Sequence, residues 1–268
     1  MIPKWLWGKR IAIYDIETDW IPTTQIFTIG VAILEIDTNG TETITPSKAF
    51  TQYWVPYSNG SLMQAVTLIN SCDFVSGHNI ISFDTPELRK HLSTLLRPRP
   101  LDTLILSKIV FSKDDLFAMD PQLRVEKDMW GSYSLKAFGQ RMGDFKIDFH
   151  DFSGLTPEMV KYCNQDVDLT AQLLVFLFKK ENFPIEPVVD IEHKAAEIIQ
   201  EQTEFGFYID IDMARALNTK LLQEKGEIAR ELATIFKPKF LQDGQVKTYK
   251  KKSQVKKYLP NEHYKKVW

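Results

Sequence analysis

The sequence is poor in cysteine, because its 268 residues contain only Cys72 and Cys163. No cysteine or histidine pairs occur at zinc-site spacing, so neither a disulfide framework nor a structural zinc is predicted. Long apolar runs are also missing. The longest, such as residues 29–34, fall far short of a membrane span, and the N-terminus lacks the long apolar segment of a signal peptide. These absences exclude membrane and disulfide-rich secreted classes and favour a cytoplasmic protein.

Positive charge is scarce in most of the chain and concentrated at its end. The net charge is −2, but from Lys237 onward ten lysines stand against two acidic residues, about +8, which leaves about −10 before that point. An acidic body repels nucleic acid unless cations intervene, which suits a metal-dependent site better than a simple DNA-binding module. The aromatic, lysine-rich tail has two open interpretations: a nucleic-acid contact, or a solvated, partly disordered end.

The order of predicted elements indicates an α/β or α+β layer architecture, with an early sheet and interspersed helices. Predicted strands cover residues 10–16, 26–36, 50–55 and 74–76, and predicted helices cover 61–70, 85–95, 132–142, 156–179, 191–205 and 212–236. Residues 101–111 suit a strand, a helix or both. A proline-marked linker predicts a domain boundary near Glu186, separating residues 1–185 from 186–268. No strong strand is predicted in the second part, whose two helices make a poor core alone.

Asp166 lies on the helix predicted over residues 156–179, with Thr156 as its N-cap. On a helical projection, Asp166 and Tyr162 share a face with Leu169 and Leu173, away from the solvated side of the helix. A buried, unpaired carboxylate is very costly, so Asp166 must be protonated, bonded to donors or bound to a metal. A salt bridge or helix cap is the alternative for a lone aspartate.

Further carboxylates occur in two earlier segments. Asp15 and Glu17 are separated by one residue at the end of the first strand, so both point to one side of the sheet and can hold one cation between them. Solvated acids at the end of a strand are the alternative. Asp84 follows a buried strand at the start of a helix. Glu87 stands three residues later, so Asp84 also fits a helix-capping arrangement.

The ordered set of Asp15, Glu17, Asp84, Tyr162 and Asp166 resembles the DEDD superfamily of 3′-to-5′ exonucleases, in its tyrosine branch. The stretches LDTLILSK (101–108), GSYSLKAFG (131–139) and DIEHKAA (190–196) resemble the family A replicative DNA polymerases of podophages. The resemblance covers nearly residues 10–236, and its last stretch normally opens the polymerase thumb.

The resemblance implies a ribonuclease H-like exonuclease domain, a mixed sheet with flanking helices, followed by a small helical, thumb-like segment. It also implies two Mg²⁺ ions, replaceable by Mn²⁺, held by Asp15, Glu17, Asp84 and Asp166. Carboxylates are suitable hard ligands, and paired ions stabilise both oxygens of an in-line displacement. Tyr162 would help to orient the attacking water. It would not take the water's proton unaided, because a free tyrosine is too weak a base at neutral pH.

Other positions receive subordinate roles from the resemblance. Thr18 and Ile21 correspond to residues that contact the terminal nucleotide, Asn79 corresponds to a polar strand contact, and His78 could stack or bond nearby. A structural role is an equal alternative for each. Four acidic residues are expected to lie outside the metal site: Asp19, Asp102, Asp148 and Asp151.

The predicted function is proofreading: a metal-dependent 3′-to-5′ DNA exonuclease that releases nucleoside 5′-monophosphates. Its partners would be a single-stranded 3′ end of DNA and a polymerase domain or subunit, in the host cytoplasm if a phage encodes it. The palm and fingers of a polymerase are missing, so a split-polymerase subunit and a piece of a longer gene both remain open, and no processivity factor is identified. The alternatives are an RNA 3′ exonuclease of the ribonuclease D kind and a non-catalytic module that docks DNA or a polymerase.

Overall fold

The computed structural model describes residues 1–236, 239–242 and 264–267, with side chains over 1–236. The chain divides into two compact units, Met1–Phe205 and Gly206–Trp268. The first unit is a mixed sheet covered by helices on both faces, as the order of predicted elements indicated. This α/β architecture is compatible with a ribonuclease H-like fold. No helix in the described part of the chain combines the length and hydropathy that a bilayer crossing requires.

The sheet of the first unit has six strands in the order β3-β2-β1-β5-β6, with β4 also pairing with β2. The strands are β1 (Arg10–Thr18), β2 (Ile26–Ile36), β3 (Glu42–Ile44), β4 (Lys48–Thr51), β5 (Phe74–Gly77) and β6 (Arg99–Asp102). β1 is central: it pairs antiparallel with β2 and parallel with β5. Its carboxyl end therefore lies beside that of β5, where loops following parallel strands usually build sites.

The helices of the first unit cover both faces of the sheet. They are α1 (Leu62–Ile69), α2 (Asp84–Leu92), α3 (Thr103–Val110), α4 (Lys113–Met119), α5 (Leu135–Met142), α6 (Pro157–Phe178) and α7 (Glu186–Phe205). Successive β1 side chains enter opposite cores because a strand alternates its faces. Ile11 and Ile13 join one core with α3, α5 and α6, whereas Ala12, Tyr14 and Ile16 join the other with α1 and α2.

The long helix α6 begins where the sequence predicts. The Thr156 hydroxyl accepts a hydrogen bond from the Met159 amide, and Pro157 occupies the first turn, where its missing N–H costs nothing. The apolar residues that recur at helical spacing along α6, from Val160 to Phe178, are buried. α6 therefore packs on the sheet in the rotation that its apolar periodicity indicates.

The first unit extends beyond the predicted boundary near Glu186. α7 begins at that residue and packs on β6 and α3, burying Val189 and His193. His193 Nε2 accepts a hydrogen bond of 2.7 Å from the backbone N–H of Asp102. The linker prolines mark the start of a helix rather than the end of a compact unit, because Pro is well tolerated in the first turn.

Three further differences concern short elements. The strand expected over residues 50–55 lies at Lys48–Thr51, and two elements, β3 and α4, were not predicted. All three are only three to seven residues long. Segments this short hold too few periods of an apolar pattern to be recognised, so pairing or packing determines them.

The second unit contains α8 (Ile211–Ile235) and an antiparallel pair of strands, β7 (Lys239–Gln242) and β8 (Tyr264–Val267). Asp210 caps α8 by accepting a hydrogen bond from the Met213 amide. The expectation of no strand after α8 was wrong for these two segments. They lie far apart in sequence, so local periodicity cannot indicate their pairing. The rest of the basic tail lies outside the described residues.

Candidate metal centre

Asp15 and Glu17 lie at the carboxyl end of β1, on the face that α6 covers. Glu17 is buried, and Asp15 is intermediate. The pairing of β1 with β2 shifts register between Glu17 and Thr18, so the strand is irregular immediately after the two acids. Such irregularities re-aim side chains next to sites. The predicted side-by-side arrangement of these two acids on one face of the sheet is observed.

Gly30 on β2 allows α6 to approach this end of the sheet. It pairs with Asp15 across the ladder. A methyl group at Gly30 would lie 2.9 Å from a Val167 side-chain carbon and 3.0 Å from the Cys163 sulfur. The Cys163 thiol donates a 3.6 Å hydrogen bond to the Asp15 carbonyl oxygen. The glycine therefore brings the α6 backbone close to Asp15, and Asp166 lies on the same helix.

Asp84 begins α2, but its carboxylate does not cap that helix. The N-cap position is Phe83, which makes no side-chain cap. Asp84 Oδ1 instead accepts a 3.2 Å hydrogen bond from the backbone N–H of Ile16 on β1. Of the two interpretations of Asp84, the structure favours the one that directs it toward the acidic end of β1.

The loop that leads to Asp84 is held by Asp102. Asp102 Oδ1 accepts a hydrogen bond from the Asn79 amide at 2.9 Å, and Oδ2 accepts one from the Ile81 amide at 3.2 Å. Asn79 adopts the left-handed conformation, with φ of 68°, which asparagine tolerates better than most residues. Asp102 also caps α3 through the Leu104 amide. Asp102 thus supports the site from outside, consistent with its exclusion from the predicted ligands.

Asp166 is buried on α6, as its position on the helix predicted. Its Oδ2 lies 2.5 Å from the ammonium nitrogen of Lys146 in the segment between α5 and α6. Its Oδ1 has no hydrogen-bond partner among the described residues. Buried carboxylate oxygens are normally satisfied, so one that lacks a partner indicates a position where a cation or donor can bind.

Tyr162 lies one turn before Asp166 and next to the same lysine. The Lys146 ammonium lies 4.7 Å from the centre of the Tyr162 ring, and the Phe149 ring stacks on Tyr162 at 5.3 Å. Burial and the neighbouring Asp166 charge raise the pKa of Tyr162 to about 12. Its hydroxyl therefore keeps its proton at neutral pH.

Burial and neighbouring negative charges raise the pKa values of the four carboxyl groups. Burial and the negative charges of Asp84 and Glu17 raise the pKa of Asp15 well above its usual range. Burial and Asp166 raise the pKa of Glu17 to about 8, and burial raises the pKa of Asp84 to about 7. Burial also raises the pKa of Asp166, although Lys146 opposes this effect. In the absence of added cations, the cluster therefore retains protons near neutral pH.

One depression gathers most of the predicted site residues. It is lined by Asp15, Ile16, Glu17, His78, Asn79, Phe83, Asp84, Lys146, Tyr162 and Asp166. All five predicted catalytic residues and Asn79 are included. Two predicted substrate contacts do not line it: Thr18 is buried and donates to the Asp19 carbonyl, and Ile21 is exposed on the loop after β1.

Three of the acidic residues that were expected to lie outside the metal site have other partners. Asp19 accepts hydrogen bonds from Thr24 and Gln25, Asp148 pairs with Lys136, and Asp151 accepts from Ser153. Lys146 was not anticipated from the sequence. A single lysine in an irregular segment follows no periodic pattern, so only its contacts reveal it.

The donor set suits a hard divalent cation. Asp15, Glu17 and Cys163 offer ligand atoms within 4.8 Å of one another, and Asp84 and Asp166 line the depression that Asp15 and Glu17 also line. Burial and the Glu17 charge raise the pKa of the Cys163 thiol, so it remains protonated and is a poor ligand. The carboxylates, including the unpartnered oxygen of Asp166, are ligands of the kind that Mg²⁺ and Mn²⁺ prefer.

The fold and this cluster define an α/β protein with a candidate acidic metal site at the end of its central strand. No protein-family model matches the sequence. The chain is 28% identical to the DNA-directed DNA polymerase of Escherichia phage T7, in a 203-residue alignment covering 59% of this chain and 29% of that polymerase. It is 27% identical to the DNA-directed DNA polymerase of Enterobacteria phage T3, with the same coverage.

These similarities identify a region related to the DNA polymerases of phages, as the sequence resemblance indicated. The chain matches only 29% of the length of either relative. The activities of the complete relatives therefore do not transfer directly to this chain.

Proposed function

We propose that the protein is a metal-dependent 3′-to-5′ DNA exonuclease of the DEDD tyrosine type that serves a family A DNA polymerase in proofreading. The main support is a single observation: four carboxylates from β1, α2 and α6 line one depression, and a buried oxygen of Asp166 has no partner among the described residues. The similarity to phage polymerases supports DNA as the substrate.

Asp15, Glu17, Asp84 and Asp166 are the residues that would hold two Mg²⁺ ions, or Mn²⁺ in their place. Bound ions would lower the pKa of a bound water molecule and would neutralise charge on the scissile phosphate. Burial is the main cause of the elevated pKa values of Glu17 and Asp84, about 8 and about 7, and neighbouring carboxylates add to it. Divalent cations would displace their protons because they bind the ionised form.

Tyr162 would position the attacking water rather than deprotonate it. A pKa of about 12 leaves the phenol protonated at neutral pH, so its hydroxyl can act as a hydrogen-bond donor or as an acceptor to a water molecule. Phe149 stacks on the Tyr162 ring from one side and restricts its orientation. The proposed role is therefore an effect on geometry, with a modest pH dependence of its own.

The 3′ end of the strand would enter beside the loops after β1 and β5. Asn79 lines the depression and would contact the strand through its amide. Ile21 is 83% exposed on the first loop, so it is available to pack against a nucleoside, whereas buried Thr18 would support that loop. α7 and α8 would be the helical start of a polymerase thumb, with a polymerase domain or subunit as partner.

The direct test uses a 5′-labelled single-stranded DNA of about 20 nucleotides. We expect stepwise shortening from the 3′ end with Mg²⁺, release of nucleoside 5′-monophosphates, and no reaction in EDTA. Replacing Asp15 and Glu17 together by alanine should lower the rate at least about 10³-fold, a size typical of losing a central electrostatic contribution to catalysis. Circular dichroism should show that the fold survives.

A matched control replaces Asp148 and Asp151, exposed acids outside the depression, and should retain the wild-type rate. An RNA strand of the same sequence tests the ribonuclease alternative, since faster RNA shortening would overturn the preference for DNA. Metal-independent strand binding without any shortening would instead support a docking module and contradict the proposed enzyme.

A further inference from the structure

Lys146 places a positive charge inside the acidic depression. Its ammonium nitrogen lies 2.5 Å from Asp166 Oδ2 and 4.7 Å from the centre of the Tyr162 ring, and its side chain is 20% exposed. Within the described part of the chain, it is the lining residue with a fixed positive charge. His78 also lines the depression, but burial lowers its pKa to about 4, so it is neutral.

Lys136, a second lysine near this segment, is more exposed to water than Lys146. Lys136 on α5 pairs with Asp148 at 3.0 Å, and the two side chains are 38% and 69% exposed. Exposed pairs contribute little because water solvates both charges. Lys146 and Asp166, by contrast, are largely removed from water, with side chains 20% and 5% exposed. The inward lysine therefore has a substantial interaction with a residue proposed to bind metal.

We propose that Lys146 is a tethered cation that occupies Asp166 until a divalent ion displaces it, and that a nucleotide phosphate then becomes its partner. The inference rests on the proposed function, because it assigns an entry step to the proposed metal site. The binding of metal and the binding of phosphate would then depend on each other. A divalent ion displaces Lys146 from Asp166, and a phosphate binds the displaced ammonium.

The charges of the depression explain this interdependence. A divalent ion using both Asp166 oxygens must first break the pair with Lys146, and the freed ammonium then lies near a cation of the same sign. A phosphate monoester or diester in the depression supplies negative charge and several acceptor oxygens for that ammonium. Metal should therefore bind weakly to the free protein and more tightly when a phosphate is present. The acidic cluster would load its metal mainly together with DNA.

The test measures Mn²⁺ binding by electron paramagnetic resonance of the free ion, at pH 8.0, on the full chain. We expect Lys146→Met to tighten Mn²⁺ binding about tenfold in the absence of nucleotide, because a charge-assisted bond no longer competes. Adding thymidine 5′-monophosphate should tighten Mn²⁺ binding by several-fold in the wild type and much less in Lys146→Met.

Two controls separate displacement from a general change of charge. Lys136→Met removes a positive charge near the same segment and should leave Mn²⁺ affinity within about twofold of wild type, as expected for a screened surface charge. Lys146→Arg keeps the charge and should retain the weak binding and the nucleotide effect. Thermal unfolding in EDTA establishes that each variant is folded before titration.

Unchanged Mn²⁺ affinity in Lys146→Met, or an equal increase in Lys136→Met, would overturn the inference. So would wild-type protein that binds no Mn²⁺ at all. If DNA is shortened in a metal-dependent way but Lys146→Met leaves Mn²⁺ binding unchanged, the tethered-cation inference fails and the proposed nuclease activity stands. Displacement and nucleotide coupling without any DNA shortening would support the tethered cation and contradict the proposed nuclease activity.

Discussion

Two buried pairs of an aspartate with a basic residue lie in the first unit, and they differ in how completely their charges are satisfied. Arg141 binds Asp120 with Nε at 2.6 Å and Nη2 at 2.9 Å, and the Gly131 amide donates to Asp120 at 2.7 Å. Both side chains are fully buried. Asp166 has only Lys146 on Oδ2, and its Oδ1 has no partner among the described residues.

The closed set of contacts around Asp120 suits a structural role, whereas, among the described residues, the incomplete set around Asp166 leaves a carboxylate oxygen free for a ligand. Arg141 also donates to the Ser132 carbonyl at 2.7 Å, so the pair joins α5 to the two ends of the segment that follows α4. A planar guanidinium suits such a closed network, whereas a lysine ammonium is a mobile point charge. We therefore expect a ligand to open the Asp166 pair, and we expect opening of the Asp120 pair to cost structure.

Breaking the Arg141–Asp120 pair should have the strongest effect on stability. Arg141→Met should lower the free energy of unfolding by about 3 to 5 kcal/mol, because it leaves the Asp120 carboxylate buried without its cation. Urea denaturation monitored by circular dichroism measures this loss. The matched control is Arg10→Met, whose partner Glu35 is exposed, with an expected change below about 1 kcal/mol. Equal effects of the two substitutions would contradict the comparison.

A smaller effect on stability should follow from pH, through the acidic cluster that contains Glu17 and Asp166. Glu17 has a folded-state pKa of about 8, above its usual 4.5, so the folded protein retains a proton that the unfolded chain has released. Its contribution to stability is present below pH 4.5 and is lost as pH rises toward 8. The buried histidines oppose this trend only up to about their ordinary pKa of 6.5. Above that value, the carboxyl groups should dominate, because the raised pKa values of Asp15 and Asp84 act in the same direction as that of Glu17.

In EDTA, the free energy of unfolding should therefore fall by at least about 2 kcal/mol between pH 6.5 and pH 8, the contribution of Glu17 alone. Saturating Mn²⁺ should reverse the fall, because it neutralises the ionised carboxylates. Urea denaturation at several pH values measures both trends. A free energy that is flat or rising over this range would contradict the proposed crowding of carboxyl groups.

The smallest effect should come from a single neutral substitution in the cluster. Glu17→Gln should raise the free energy of unfolding at pH 8 in EDTA by about 1 kcal/mol and weaken its pH dependence, because one buried charge is removed. The matched control, Glu35→Gln, changes an exposed carboxylate on β2 and should have an effect below about 0.5 kcal/mol. Destabilisation by Glu17→Gln would assign that carboxylate to the structure rather than to metal binding.

Local sequence patterns were sufficient to predict much of the fold and the arrangement of the acids. The alternation of β1 places Asp15 and Glu17 on the face of Ile11 and Ile13, and the helical period of α6 predicts that Asp166 is buried. These predictions succeed because each residue's orientation depends on the geometry of its own element. The catalytic roles of these acids remain predictions.

Contacts between distant segments could not be predicted in this way. The choice of Asp84 between a helix cap and the site depends on the Ile16 amide, which belongs to another element. Likewise, α7 joins the first unit because His193 meets the Asp102 amide on β6. Neither partner is indicated by spacing along the chain.

The central elements, the orientation of their side chains and the order of the acidic residues follow from the sequence alone, because strand and helix periods are local. By contrast, the entry of Lys146 into the acidic depression and the lack of a partner for one Asp166 oxygen among the described residues are visible only in the folded protein. Those features depend on where an irregular segment lies relative to α6. Their energies come from burial and charge, which arise when distant segments pack together.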